Sequence, residues 1–305
     1  MHTGLKITAF AAALAATFGT AYGIGQGLDP VVADRAPESH ASSSPARERG
    51  GDAVGGLRIS ERGYTLDLRT PRVAAGQPAD LRFTVRDTSG RPVTEFRREH
   101  DKELHLIVAS RDLRTYRHLH PVRAADGTWS TPVELPHAGG YRVFADFTPE
   151  AEGARNLTLG ADLAVSGSYH PQKLPRAAAT ARVDGYEVEL TGGLRPGRSS
   201  ELRLTVSRDG APVTDLEPHL GAYGHLVALR SGDLAYLHVH PHGEPGDGTT
   251  PSGPEVSFTA TAPSGGSYRL FLDFKHDGVV RTAAFTVPAG QSAGAPEHAE
   301  DGHGH

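Results

Sequence analysis

From residue 57 onward the chain runs in short stretches where apolar and polar side chains alternate, and those stretches come round twice. TLDLRTPRVAAGQPADLRFTVRD (65–87) alternates, breaks at a Pro/Gly turn and alternates again, and EVELTGGLRPGRSSELRLTVSRD (187–209) does the same. Later, AGGYRVFADF (138–147) is answered by SGGSYRLFLDF (264–274), each a Gly turn followed by a period-two strand. Side chains that alternate at period two place one face of a strand on a core and the other in solvent. No stretch after residue 57 carries the 3.6-residue period of a helix.

Each repeat offers about seven short strands in roughly 110 residues, the dimensions of a β-sandwich. The predicted fold is therefore all-β, two tandem Ig-like or cupredoxin-like β-sandwiches. Repeat one is expected over 57–167, a proline-containing link over 168–180, and repeat two over 181–288. Ahead of them, residues 29–56 are rich in Pro, Ser, Gly and Ala and read as a flexible tether; 289–305 reads as a disordered tail. Tyr141 and Tyr268 each start a late strand after a Gly turn, where a tyrosine commonly plugs a sandwich corner by bonding to backbone. Trp129 has no counterpart in the second copy, which points to a core or rim position.

The most informative repeat is RPVTEFRREHDKELHLIVASRDLRTYRHLHP (91–121) against APVTDLEPHLGAYGHLVALRSGDLAYLHVHP (211–241). His105, Tyr116, His118, His120 and Pro121 recur, without a gap, as His225, Tyr236, His238, His240 and Pro241. LHLIVAS (104–110) reads as a strand, RDLRT (111–115) as its turn and YRHLHP (116–121) as the return. In such a hairpin, directly opposite residues have a constant index sum. Sums of 223 or 225 put His105 on the face of His118 and His120, whereas 224 sets it opposite Leu119 and points it away; the same arithmetic applies to His225, His238 and His240. Cross-strand Cβ atoms lie about 5 Å apart, near enough for three imidazoles to share one ion. Three neutral imidazoles with an open position suit zinc or copper. The competing reading is a polar cluster in which the rings satisfy backbone groups and one another.

Asp146 and Asp273 share an F-x-D-F context, and three roles stay open for them: a fourth ligand, a partner orienting an imidazole, or an exposed carboxylate. His100 and His219 fall at non-equivalent positions, so no common role is expected of them. His137, His170, His242 and His276 read as surface residues. His298, His303 and His305 make a small tail tract that is either a loose metal binder or incidental.

Composition narrows the chemistry. There is no cysteine and the one methionine is Met1, which removes disulfides, thiolate sites, blue copper and cysteine catalysis. The net charge of −5 and the lack of a basic patch argue against nucleic acid. A short basic start precedes 22 uncharged residues at 7–28, the pattern of an export signal or weak membrane anchor within 1–28. The expected location is outside the cytoplasm, secreted or held to the outer face of the membrane.

The strings LHLIVASRDLRTYRHLHP and YRVFADFTPE resemble a family of exported bacterial β-sandwich proteins with HLHLIV…HLHP and YR-x-FADF signatures, whose members are labelled secreted or heavy-metal-binding. The Ala/Gly/Arg/Pro-rich composition resembles that of a high-GC actinobacterium. The resemblance implies metal handling, of copper above all, with membrane-bound copper-handling proteins as partners. It supplies no activity. No G-x-S-x-G, P-loop or repeated Ser/His/Asp grouping is present, so a binding protein is expected rather than an enzyme. One enzymatic alternative stays open. Gly232, His238, His240 and Glu244 match the first metal motif of cupins, but the second motif ends in Tyr268 where its histidine belongs. A structural or adhesive Ig-like tandem without metal is the other alternative.

Overall fold

The structure, a computed structural model, describes residues 54–290 apart from His238, and His240 by its backbone alone. The expected export segment and the histidine-bearing tail lie outside the described residues. Among those described, every regular element is a strand. The protein is all-β, with two tandem sandwiches.

The first repeat comprises β1 (Ser60–Glu61), β2 (Tyr64–Leu68), β3 (Arg72–Ala74), β4 (Pro78–Arg86), β5 (Phe96–Arg97), β6 (His105–Ser110), β7 (Tyr116–Leu119), β8 (Val122–Arg123), β9 (Thr128–Glu134), β10 (Gly139–Pro149) and β11 (Leu157–Ser166). One sheet runs β1-β2-β4-β9-β8 and the facing sheet β3-β11-β10-β6-β7, with β5 added to β10. The second repeat comprises β12 (Thr180–Val183), β13 (Tyr186–Gly192), β14 (Ser199–Arg208), β15 (Ala211–Pro212), β16 (Gly224–Arg230), β17 (Tyr236–Leu237), β18 (Val239–Pro241), β19 (Glu255–Thr261), β20 (Gly266–His276) and β21 (Val279–Ala289). Its sheets are β12-β13-β14-β19-β18, with β15 on β14, and β17-β16-β20-β21. The strands outnumber the expected seven because chain switches between sheets, as at Pro71 between β2 and β3, divide long alternating runs.

Each sandwich has its own core, one around Leu81, Phe83, Val143 and Phe147, the other around Leu202, Leu204, Leu270 and Phe274. The corner tyrosines close them as expected: the Tyr141 hydroxyl donates to the His137 carbonyl at 2.8 Å and Tyr268 to that of Ser264 at 2.8 Å. Trp129 is buried, stacked on Phe83 at 6.2 Å between ring centroids.

A third apolar cluster joins the two repeats: Ile107, Ala109, Leu113, Tyr116 and Phe144 from the first, and Val227, Leu229, Leu234 and Phe271 from the second. This explains why β6 and β16 read as nearly unbroken apolar runs. Leu106 and Val108 face their own core, while Ile107 and Ala109 face the other repeat. The seam is reciprocal. Tyr116 stacks flat on Phe271 at 4.1 Å, and Tyr236 lies against Phe144 at 5.6 Å. A strap at 54–57 crosses the same seam. The Gly55 carbonyl accepts from Tyr236 N at 3.0 Å, and Arg142 holds the Gly56 and Leu57 carbonyls at 2.6 and 2.9 Å. Gly160 permits this approach, since a Cβ there would stand 2.0 Å from the Gly56 carbonyl oxygen.

Candidate metal centre

The β6–β7 hairpin pairs Leu106 with Leu119, Ile107 with His118 and Ala109 with Tyr116, an index sum of 225. Continued by one step, that register sets His105 opposite His120, so all three imidazoles share the face of Ile107 and Tyr116. That face is the seam between repeats, not open solvent. Leu119, on the opposite face, packs toward the first core.

His105, His118 and His120 converge: one ring nitrogen from each lies within 4.8 Å of the others. Their ring centroids are 5.3, 5.3 and 4.8 Å apart. The hydrogen bonds settle the tautomers. His105 Nε2 faces the Glu99 carbonyl at 3.2 Å, and His118 Nδ1 faces Asp273 Oδ2 at 2.9 Å. Carbonyl and carboxylate oxygens only accept, so both of those nitrogens carry their protons. His105 Nδ1 and His118 Nε2 then meet at 3.1 Å with no proton left to either neutral ring. The contact is closed by an added proton or by a cation that takes both lone pairs. His120 Nε2 is buried without a hydrogen-bond partner among the described residues, an unsatisfied polar atom inside the same cluster.

This donor set fits a divalent transition metal. Zinc–nitrogen bonds of about 2.0–2.1 Å in a tetrahedron put ligand nitrogens about 3.3 Å apart. The 3.1 Å pair is already close to that edge. Burial holds His105 and His120 down to about 3 each, with the neighbouring His118 ring adding to the effect, so both rings stay neutral as ligands must.

The second repeat supplies the support. Asp273 is buried and its other oxygen accepts from the Thr282 hydroxyl at 2.5 Å, while the Tyr116 hydroxyl approaches Oδ2 at 3.4 Å. Of the three roles open to it, Asp273 takes that of orienting an imidazole, and the imidazole belongs to the other repeat. Asp146 accepts from Asn156 Nδ2 at 2.6 Å and from the Tyr236 hydroxyl. Each tyrosine thus meets the aspartate of the opposite repeat. Burial, reinforced by that aspartate, raises the ionisation of Tyr116 and Tyr236 well above the ordinary phenol range.

His225 is held as His105 is, its Nε2–H donating to the His219 carbonyl at 2.8 Å. Positions 99 and 219 are equivalent, and each begins a tight turn with positive φ at both central residues: His100 and Asp101 (51° and 61°), Leu220 and Gly221 (53° and 71°). These are type I′ turns, which aim the two carbonyls at the rings. Leucine in that conformation costs about 1–2 kcal/mol. Among the described residues, His225 neighbours the first triad. Its ring lies 6.3 and 6.1 Å from those of His105 and His118, 5.3 Å from His100 and 6.0 Å from His219. The described imidazoles of both copies form one cluster.

Other expected positions divide. β16 pairs with β17 in the matching register, Ala228 with Leu237, but the return strand then leaves the hairpin, and His240 pairs by backbone with Thr259 of β19 in the opposite sheet. Pro241 sits with it in this edge strand, a place proline tolerates. His238 lies outside the described residues. Glu244 is exposed in the following loop. His137, His170 and His242 are exposed as expected. His276 is not a free surface residue: its Nδ1 meets the Tyr186 hydroxyl at 2.7 Å and its Nε2 meets Asp215 at 3.0 Å. His100 and His219 escaped the repeat comparison because they are out of register with each other. The signal available was their position five and six residues ahead of His105 and His225, in the tight turns.

The sequence profile of a family described as "Domain of unknown function (DUF8832)" matches residues 59–159 and again 181–291, together well over half of the chain. The chain belongs to this family. No curated protein matches it. Among solved structures it is similar to FdeC, an Escherichia coli adhesin, at 14% identity over 76% of this chain and 65% of that one, with a TM-score of 0.23. It is also similar to domains 4–9 of the surface layer protein SbsC (11% identity, 74% and 30% covered, TM-score 0.22). Invasin, a bacterial integrin-binding protein, overlaps it at 13% identity (74% and 39% covered, TM-score 0.21). The chain spans less than two thirds of the length of each of these three.

Proposed function

We propose that this member of the DUF8832 family is an extracytoplasmic binding protein for a divalent transition metal, copper or zinc, held by His105, His118 and His120. The observation that carries the reading is the proton count within the triad. Outward hydrogen bonds consume the proton of His105 and of His118, their lone pairs meet at 3.1 Å, and the buried His120 Nε2 beside them has no partner among the described residues. The absence of thiolate or internal thioether donors favours zinc or cupric copper over cuprous copper. Location outside the cytoplasm rests on the N-terminal apolar run, and a role in copper handling beside membrane-bound partners rests on the sequence resemblance. Elemental analysis of the full chain, with His298, His303 and His305 changed to serine to silence the tail, tests the reading. Dialysis against copper or zinc should leave bound metal that His118→Ala abolishes.

A second reading has its own support. The triad lies in a buried seam, where a proton on the His105–His118 contact would make it a polar plug in a structural or adhesive tandem. A chain that binds no metal and melts identically with and without it would establish that reading.

A further inference from the structure

Resting on the metal reading above, we infer that His225 of the second repeat is a fourth ligand, so that the ion cross-links the two sandwiches. His225 is the second residue of β16, across the seam from the triad, and is buried. Its Nε2–H is committed to the His219 carbonyl, which leaves Nδ1 as the nitrogen with a free lone pair. The ring stands 6.1 Å from His118 and 6.3 Å from His105, against 4.8–5.3 Å inside the triad. His105, His118 and His225 line one cleft of about 400 Å³, which brings rings of both repeats to a common space and gives an ion a route from solvent. The seam already crosses the site once in this sense, through Asp273 on His118. A ligand from the second repeat completes a four-nitrogen set that three histidines on one hairpin cannot supply, and makes the junction between repeats respond to metal.

Frozen-solution electron paramagnetic resonance of the full chain loaded with one equivalent of cupric ion counts the bound imidazoles, again with the three tail histidines changed to serine. Four nitrogens are expected in the wild type and three in His225→Gln. Affinity should also fall at least about tenfold, because even partners that merely orient a ligand cost that much. Three nitrogens in the wild type would overturn the bridge, as would an unchanged count and affinity in His225→Gln. Loss of a second bound ion with the first untouched would overturn it too, since His225 would then belong to a separate site. Should His225→Gln fail to fold, the wild-type count decides alone. His118→Ala separates the two readings: if it abolishes binding while His225→Gln is silent, only the bridge falls.

Discussion

A histidine on a strand is usually unremarkable; a converging triad in which two of the protons are already spoken for is not. Asp273 decides much of this, because its carboxylate fixes which nitrogen of His118 carries the proton. Changing Asp273→Asn should lower metal affinity by about 10- to 100-fold with the triad intact, read by competition against a chelator of known strength. His118→Ala should abolish binding and, in metal-free protein, cost about 1–3 kcal/mol in urea melts, because it leaves Oδ2 of the buried Asp273 with only the long 3.4 Å approach of the Tyr116 hydroxyl. The pH dependence follows from burial. His105 and His120 are held down to about 3 and His225 to about 4 in the fold, against an unfolded value near 6.5. The unfolded chain therefore takes up protons first as pH falls. This contribution to the stability of the metal-free protein is fully present above about pH 6.5 and is lost on acidification toward pH 3–4, at up to about 1.4 kcal/mol per pH unit for each of the well-buried His105 and His225 and less for His120, whose charge solvent screens. Denaturant midpoints measured between pH 7.5 and 4 with chelator present should fall across that window; midpoints flat above pH 5 would contradict it.

At the scale of elements, the F-x-D-F strands and the Y-x-H-x-H strands are two halves of one device. β10 and β20 each offer a phenylalanine and an aspartate to the tyrosine of the opposite repeat. The repeated signature is thus explained largely by the seam, whatever the metal does. Phe271→Ala removes the ring stacked on Tyr116 at 4.1 Å and should cost about 3–5 kcal/mol, the range for deleting a buried aromatic. Circular dichroism during urea unfolding would measure it. A loss under about 1 kcal/mol would mean that the seam contributes little.

Over the whole molecule, the buried third cluster couples two sandwiches that each have a complete core. They should melt as one transition, with calorimetric and van't Hoff enthalpies in agreement. Two resolved peaks would show the repeats to be independent. A metal bound only by the folded state should raise the melting temperature, by the equivalent of about 2.7 kcal/mol at a free concentration of 100 times Kd. Chelator should reverse the shift.

Period-two alternation broken by Gly and Pro was enough to read out the sandwiches, their turns and the corner tyrosines, because strand faces and turn conformations depend on neighbours in the chain. The hairpin itself was also legible, and with it the common face of His118 and His120, but the index sum was not: only the paired register of 225 put His105 on that face rather than away from it. Where that face points was not legible either. Nothing local distinguishes an imidazole aimed at solvent from one aimed at a second domain. Only the docking of the two repeats decided that the histidines lie in a seam, that Asp273 serves a ring of the other repeat, and that the His225 ring stands beside the first triad. The departure of β18 to the opposite sheet was equally hidden, since a short strand such as VHP can pair with either neighbour and the competition between sheets is settled by contacts far away in sequence.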